Sequence, residues 1–320
     1  MTTDLTSVPK KILLTFLAIA TVAGVAIHTV NFANNAAETE QEPVLSLDSW
    51  QSLADEFERK IERFDGQVGF VLKDLKTGYT AKYNADILIP SASIVKIPIM
   101  AAVLQKVEDR QLEIGSLITL QRSDRVGGSG RLKYSGVGSK YTVSYLLHAM
   151  ITQSDNTATQ MLTRTLGFEY LEKYFKSLGL NNTNMVRGIM DLRARNRGIE
   201  NYTTANDMVI ILEKIYRKQC SSALSCEYMI DLMKQQHIND RLNSGLPKGW
   251  TVAHKTGLIR GVCHDVGIIF HPRGDFVIVV LLNKVNNYKT AKRFIGTLAR
   301  VAFNYYDNGY ELPFYTSSDN

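Results

Sequence analysis

The chain has 320 residues, of which 45% are hydrophobic and 21% charged, and its formal net charge at pH 7 is +6. This length fits one large domain or two small ones, and the balanced composition excludes a disordered or low-complexity chain. The basic residues are scattered rather than striped, so no nucleic acid is expected as a partner. The positive charge fits either a solvated surface or attraction to an anionic substrate or envelope.

The N-terminus carries an apolar segment preceded by charge. Lys10 and Lys11 come before residues 12–30, which are apolar except for three threonines and one histidine. A segment of about 19 such residues is long enough to cross a bilayer, and the lysines favour a cytoplasmic N-terminus. No good small-residue cleavage motif follows. We therefore expect an uncleaved membrane anchor, with a cleaved signal peptide as the alternative.

Either alternative places the rest of the chain outside the cytoplasm. We expect it in the cell envelope, anchored and facing the periplasm or the extracellular side, or else secreted. The chain then divides into residues 1–46 (anchor or signal segment with a polar linker), 47–310 (folded domain) and 311–320 (C-terminal tail). We expect a monomer.

The three cysteines suit an oxidising compartment. Cys220 and Cys226 bracket a short segment and either close a small disulfide loop or remain free thiols. Cys263 is expected to pack as a small hydrophobic residue. No group of cysteines and histidines has the spacing of a zinc site, so no metal and no other cofactor is expected.

The predicted elements begin with a helix and a hairpin. Residues 48–63 have apolar side chains on one face, which predicts an amphipathic helix. Residues 68–72 and 79–83 alternate around a Lys-Thr-Gly turn and predict a hairpin. Residues 94–107 are strongly apolar and predict a helix that opens at Ser93.

The middle of the chain is predicted to be helical and its end rich in strands. Further helices are predicted over residues 143–152, 157–166, 205–216 and 227–236, strands over 251–255, 262–270 and 276–282, and a last helix over 289–305. If the early hairpin pairs with the late strands, the result is a five-stranded antiparallel sheet. We expect an α+β fold, with terminal helices on this sheet beside an inserted all-helical lobe.

Three short motifs carry the chemistry. In chain order they are Ser93-Ile94-Val95-Lys96, Ser154-Asp155-Asn156 and Lys255-Thr256-Gly257. Each alone is a weak signal, but together and in this order they resemble the class A β-lactamase family and related penicillin-recognising serine hydrolases. The resemblance covers roughly residues 48–308. It implies the same fold and a serine hydrolase that acts on cyclic amides.

The first motif joins a nucleophile to a base. A serine hydroxyl is a poor nucleophile at neutral pH and needs a base nearby. Ser93 and Lys96 lie three residues apart, which puts them on one helix face within hydrogen-bond reach, and Ser93 opens the helix where N–H groups are unpaired. Apolar neighbours would bury Lys96 and lower its pKa, so that a neutral amine serves as the base. The resemblance makes Ser154 a second hydroxyl, which relays a proton to the leaving nitrogen.

The resemblance also implies the residues that bind substrate, which are Asn156, Lys255, Thr256, Gly257 and Leu258. Asn156 offers its side-chain amide, while Lys255 and Thr256 bind a substrate carboxylate. Gly257 lets the backbone approach closely. The N–H of Leu258 and that of Ser93 form the oxyanion hole. Asp155 is expected to fix its turn rather than touch substrate.

One position departs from the family pattern in the loop of about residues 182–202. Class A β-lactamases carry there a glutamate that activates the water for deacylation. Met190 stands where that glutamate is expected. Asp191 is the candidate base in its place, and the alternative is that Asp191 pairs with Arg187 or Arg193.

A second departure lies at Gly127-Gly128-Ser129-Gly130, where the family often has an aromatic residue at the rim of the cleft. A glycine-rich rim suggests a more open or mobile site. Three functions remain open. The chain is a hydrolase acylated on Ser93 by a β-lactam or related amide, a D,D-peptidase-like enzyme acting on cell-wall peptides, or a β-lactam-binding protein that deacylates slowly. The missing glutamate favours the last two.

Overall fold

A five-stranded antiparallel sheet forms the centre of the fold. The computed structural model describes residues 46–308, which all belong to one unit, Glu42–Asn320. The strands in these residues are β1 (Gln67–Asp74), β2 (Thr80–Tyr83), β3 (Ile89–Pro90), β4 (Leu117–Thr119), β5 (Lys140–Thr142), β6 (Tyr202–Thr203), β7 (Val252–Ile259), β8 (Val262–Ile269) and β9 (Phe276–Asn283). The central sheet has the order β2-β1-β9-β8-β7, and β3 pairs with β6 and β4 with β5.

Helices cover both faces of this sheet. Within the same residues they are α1 (Leu47–Glu62), α2 (Lys96–Glu108), α3 (Val143–Thr152), α4 (Asn156–Leu166), α5 (Phe168–Ser177), α6 (Leu192–Asn196), α7 (Ala205–Tyr216), α8 (Ala223–Lys234) and α9 (Tyr288–Asp307). The terminal helices α1 and α9 share one core with the sheet, and α2 to α5, α7 and α8 share the other.

Strand β9 shows how the sheet serves both cores. Side chains alternate between the two faces of a strand, so a strand covered on both sides is apolar throughout. Val277, Val279 and Leu281 belong to the core of the helical lobe. Phe276, Ile278, Val280 and Leu282 belong to the core beneath the terminal helices. The early hairpin joins this sheet because β1 pairs antiparallel with β9 along its whole length.

The predicted α+β fold is therefore confirmed, although several details differ. The helix predicted to open at Ser93 is a 3-10 turn (Ala92–Val95) followed by α2. Strand β7 does not end at Lys255 but continues to Ile259. Helix α5 was missed because its amphipathic sequence follows α4 after a single residue, Gly167. Helix α6 was missed because it has only five residues.

Cys220 and Cys226 are free thiols in the structure, with their Sγ atoms 3.2 Å apart, and both are buried. Cys263 is buried in the core beneath the terminal helices, as expected. The predicted membrane anchor over residues 12–30 lies outside the described residues. Among the helices that are described, none is long and apolar enough to span a membrane.

Candidate active site

Ser93 lies in the 3-10 turn that precedes α2. Ala92, beside it, has φ of 46°, a left-handed conformation that is costly for a residue with a Cβ. The turn is held from one side because Ser91 donates its N–H to Asn201 O over 2.8 Å. On the other side, Gly257 of β7 approaches so closely that an added Cβ would lie 3.2 Å from the Ala92 Cβ. The surrounding backbone therefore fixes the position of Ser93.

Lys96 is fully buried at the start of α2. Its Nζ donates to Ser154 O (2.8 Å), Ser154 Oγ (3.2 Å) and Asn156 Oδ1 (2.8 Å). Ser93 Oγ is not among its acceptors within residues 46–308, so the structure differs here from the expected Ser93–Lys96 hydrogen bond. The amine is linked instead to the second motif.

The turn between α3 and α4 presents Ser154 to both lysines. Asp155 caps α4, accepting from the N–H of Ala158 over 2.8 Å, and its other oxygen accepts from the N–H groups of Arg131 (2.7 Å) and Leu132 (2.9 Å). Asp155 thus fixes the turn, as expected. The close fit requires a glycine at position 130, because an added Cβ on Gly130 would lie 2.1 Å from Asp155 Oδ2.

Lys255 reaches the same hydroxyl from the sheet. It lies on β7, which is an edge strand, and its Nζ donates to Ser154 Oγ over 3.1 Å and to Thr256 O over 3.1 Å. Lys96 and Lys255 therefore both donate to Ser154 Oγ. A hydroxyl oxygen that accepts two bonds still has its own hydrogen to donate.

Burial lowers the pKa of both lysines, because a buried ammonium loses its hydration. The pKa of Lys96 falls well below its usual range through burial, the charge of Lys255 adds to this, and Asp155 opposes it. Burial lowers the pKa of Lys255 to about 7, with Asp265 opposing and Arg241 adding to the shift. A neutral amine is thus accessible near pH 7 beside Ser154.

A cleft of about 310 Å³ is lined by Asn156, which accepts from Lys96, and by Ser93. Its wall includes Ser93, Asn156, Leu258, Ile189 and Met190. The side-chain amide of Asn156 was expected to bind substrate, but both of its ends already have partners within the protein. Its Oδ1 accepts from Lys96, and its Nδ2 donates to Gly127 O over 3.0 Å. Of the residues described, those that line this cleft include three arginines and no Asp or Glu.

The loop of residues 182–202 is held by a buried acid other than Asp191. Glu200 accepts from Arg187 Nε over 2.9 Å and pairs with Arg195 Nε at 3.0 Å. Asp191 is exposed and caps α6, where its Oδ1 accepts from the N–H of Ala194 over 2.9 Å. The structure therefore does not bring Asp191 among the residues that line the cleft. It also shows no ion pair from Asp191 to Arg187 or Arg193 within the described chain.

His264 is a residue that the sequence did not single out. It is fully buried on β8, where its Nδ1 accepts from the N–H of Leu282 over 3.1 Å. Its Nε2 must therefore carry the hydrogen, which it donates to Pro90 O over 2.9 Å, just before the turn of Ser93. Burial lowers the pKa of His264 to about 4, which keeps this neutral tautomer. A lone histidine in an apolar strand gives no signal of such a role.

Comparison with known proteins places this geometry in a family. The model of the β-lactamase enzyme family matches residues 52–306. A β-lactamase from Bacillus licheniformis is 29% identical over 268 residues, which cover 82% of this chain and 83% of that protein. The crystal structure of a β-lactamase from Sphaerobacter thermophilus has a TM-score of 0.74 and 27% identity, covering 84% of this chain and 100% of that one. The structure of PBP-A has a TM-score of 0.74 and 26% identity, covering 82% and 97%.

Ser93 and Asn156, from the first two motifs, and Leu258, which follows the third, line one cleft. This fold and site are those of a penicillin-recognising serine hydrolase. The chain belongs to the β-lactamase enzyme family, of the class A type.

Proposed function

We propose that the protein is acylated on Ser93 by β-lactams, with Lys96 and Ser154 moving the proton, and that the resulting ester is hydrolysed slowly. The observation that carries the proposal is the convergence of Lys96 and Lys255 on Ser154 Oγ beside a cleft that Ser93 lines. The family relationship supports the activity on β-lactams.

Acylation uses side chains of the three motifs. Ser93 Oγ attacks the lactam carbonyl and its proton passes to the neutral amine of Lys96. As the C–N bond breaks, Ser154 gives its hydroxyl proton to the nitrogen and takes the proton held by Lys96, whose Nζ donates to Ser154 Oγ. Lys255, when charged, binds the substrate carboxylate together with Thr256. The backbone N–H groups of Ser93 and Leu258 stabilise the oxyanion. These roles are assigned by the motifs.

Deacylation lacks an obvious base. A water must be activated to hydrolyse the ester, and no carboxylate is among the described residues that line the cleft. The loop of residues 182–202 contributes apolar, basic and amide side chains to the wall, among them Ile189 and Met190, and Asp191 caps α6 instead. The acyl-enzyme should therefore persist.

A second candidate is a D,D-peptidase-like activity on cell-wall peptides. The lack of a carboxylate in the described wall of the cleft favours it, and so does the likeness to PBP-A, a point mutant of which forms an acyl-enzyme complex with penicillin G. The two candidates share the acylation step. They differ in whether a peptide ending in D-Ala-D-Ala is cleaved faster than a penicillin is turned over.

The experiment follows labelling by a fluorescent penicillin. The wild-type protein should be labelled covalently on the peptide that contains Ser93, and Ser93→Ala should abolish the label. Lys96→Ala should slow labelling by about 100-fold or more, as expected for removal of a general base. Undiminished labelling of Ser93→Ala would refute the assignment.

We further propose that residues 12–30 tether the domain outside the cytoplasm, where it works as a monomer. The support is the charged and apolar N-terminal sequence. Fractionation of cells that express the full chain should find it in the membrane pellet, and deletion of residues 1–46 should release it. A soluble full-length chain in the cytoplasm would contradict the tether.

A further inference from the structure

Two thiols face each other at the start of α8. Cys220 lies shortly before this helix, and Cys226 lies in its first turn. Their Sγ atoms are in contact, and both side chains are buried. Neither residue is among those that line the catalytic cleft. The pair therefore has no part in the site described above.

The backbone on both sides of the pair is fixed by other contacts. The carbonyl of Cys220 accepts from Tyr174 Oη over 2.7 Å. The N–H of Cys226 donates to Ser222 O over 3.0 Å, as part of the helix. Ser222 also caps this helix, since its Oγ accepts from the N–H of Ser225 over 3.2 Å. The two thiols are thus held against each other by contacts that do not involve sulfur.

Two other uses of a cysteine do not account for this arrangement. A structural zinc ion is usually bound by four ligands. Within residues 46–308, no group of three or more histidine, cysteine, aspartate or glutamate side chains could hold a metal ion. Plain packing buries Cys263 alone as a small apolar residue, but it does not place a second thiol beside the first. The chemistry that two facing thiols share is oxidation to a disulfide.

We propose that Cys220 and Cys226 form a disulfide bond, which closes the loop of residues 220–226 and fastens the start of α8. The proposal does not depend on the acylation of Ser93. Because the two cysteines are close in sequence, their thiols meet readily even before the chain has folded. The bond then becomes buried with the rest of the loop.

The oxidant is another disulfide, either glutathione disulfide or that of a protein oxidase in an oxidising compartment. A hydrogen bond from Cys220 lowers the pKa of the Cys226 thiol, although burial opposes this, so Cys226 supplies the attacking thiolate. Its sulfur forms a mixed disulfide with one half of the oxidant, and the other half leaves and takes up a proton. The Cys220 thiol then loses its proton and attacks the Cys226 sulfur, which releases the second half. Two thiols are oxidised, and one disulfide is reduced to two thiols.

The bond fastens one end of a helix whose other end supports the turn of Ser154. Just beyond α8, Gln236 Nε2 donates to Ile151 O over 2.9 Å, and the N–H of His237 donates to Thr152 O over 3.0 Å. A disulfide stabilises a fold mainly by restricting the unfolded chain, and a short loop gives a smaller gain than a long one. We therefore expect a modest gain in the stability of the helical lobe.

The test counts reactive thiols in the full chain after incubation with excess glutathione disulfide. Once the oxidant is removed and the chain is unfolded in guanidinium chloride, iodoacetamide should react with Cys263 only. After reduction with dithiothreitol it should react with all three cysteines. Peptide mapping should find the bond between Cys220 and Cys226. The oxidised protein should unfold at a temperature roughly 3 to 8 °C above that of the reduced protein.

Cys220→Ala/Cys226→Ala lacks the pair, so oxidation and reduction should give it the same unfolding temperature. Cys263→Ala is the matched control, which also loses a thiol but should keep the full difference between the two treatments. Three reactive thiols after oxidation, glutathione that stays attached to Cys220 or Cys226, or a bond to Cys263 would overturn the proposal. Equal unfolding temperatures of oxidised and reduced wild type would do so too. The thiol count uses the wild type, so it decides the matter even if a variant does not fold.

Discussion

Lys255 Nζ donates to Ser154 Oγ over 3.1 Å, and this bond joins edge strand β7 of the sheet to the turn between α3 and α4 in the helical lobe. Lys96 donates to the same oxygen over 3.2 Å. Two buried amines at one hydroxyl oppose each other's charge, which is one reason that the pKa of Lys96 lies well below its usual range. The site is therefore arranged to shift protons near neutral pH.

The first prediction concerns the charge of Lys255. Because burial lowers its pKa from 10.5 to about 7, Lys255 is charged below pH 7 and neutral above it. The second-order rate constant for acylation by a penicillin should fall as the pH rises through about 7, since the carboxylate loses its partner. The methyl ester of the same penicillin should not show this fall. Stopped-flow measurements between pH 5 and 9 would check it.

Lys255→Arg serves as the control for this prediction, since a guanidinium stays charged throughout the range. It should remove the fall for the penicillin. An identical fall for the ester, or one that persists in Lys255→Arg, would assign the titration to another group.

The second prediction concerns His264 and stability. Its pKa is about 4 in the fold against 6.5 for an ordinary histidine, so the unfolded chain takes up a proton before the folded one does. This histidine's contribution is complete above pH 6.5 and is lost as the pH falls toward 4. Between pH 7 and 5 the free energy of unfolding should drop by about 2 kcal/mol on its account. Urea unfolding at both pH values would measure this drop.

In His264→Gln that part of the drop should be absent, because glutamine does not titrate. The variant should be less stable than the wild type at pH 7, since the acceptor for Leu282 N–H is lost. An equal drop in both proteins would show that His264 does not titrate in this range.

The third prediction concerns the deacylating water. Met190 lines the cleft, so Met190→Glu would place a carboxylate there, and the acyl-enzyme should decay roughly 10-fold or more faster, as a positioned base allows. Met190→Gln has the same length without the charge and should not speed the decay. Asp191→Asn should leave the decay rate unchanged, because Asp191 caps α6. The rate at which the labelled ester is lost would be measured for all three variants.

Faster decay in Met190→Gln would attribute the effect to space rather than to a base. Slower decay in Asp191→Asn, with α6 intact, would restore Asp191 as the base.

The fourth prediction concerns the turn that holds Ser154. An alanine Cβ at position 130 would meet Asp155 Oδ2 at 2.1 Å, so Gly130→Ala should cost about 3 kcal/mol or more of the free energy of unfolding. Gly138→Ala is the control: its φ of +92° matches the +96° of Gly130, but nothing lies within 4 Å of the added Cβ. It should cost only about 1 kcal/mol, the strain of the backbone alone. If urea unfolding showed the same loss of stability in Gly130→Ala and Gly138→Ala, the contact with Asp155 would not be the reason that position 130 needs a glycine.

The sequence predicted the sheet because β9 is almost entirely apolar, β8 is mostly apolar, and the early hairpin had no other predicted strands to join. The three motifs could be recognised in the sequence, but the contacts between their side chains could not be predicted from it. Spacing places Ser93 and Lys96 on one helix face, yet the amine turns to Ser154 and Asn156, and only the packing of α2 against the turn determines this. Asp191 illustrates another limit, since an aspartate before a short helix can be a cap or a base.

Slow deacylation of Ser93 is the central claim, and the mass of the intact protein tests it most directly. The protein is mixed with excess penicillin G, and the reaction is stopped at times from seconds to hours. The mass of the intact protein is then measured by mass spectrometry, with Ser93→Ala treated in the same way. We expect wild-type protein to gain the mass of one penicillin within minutes and to keep it long after free penicillin is removed, while Ser93→Ala gains nothing. Rapid consumption of penicillin with no adduct at any time, or an adduct on Ser93→Ala, would contradict the account.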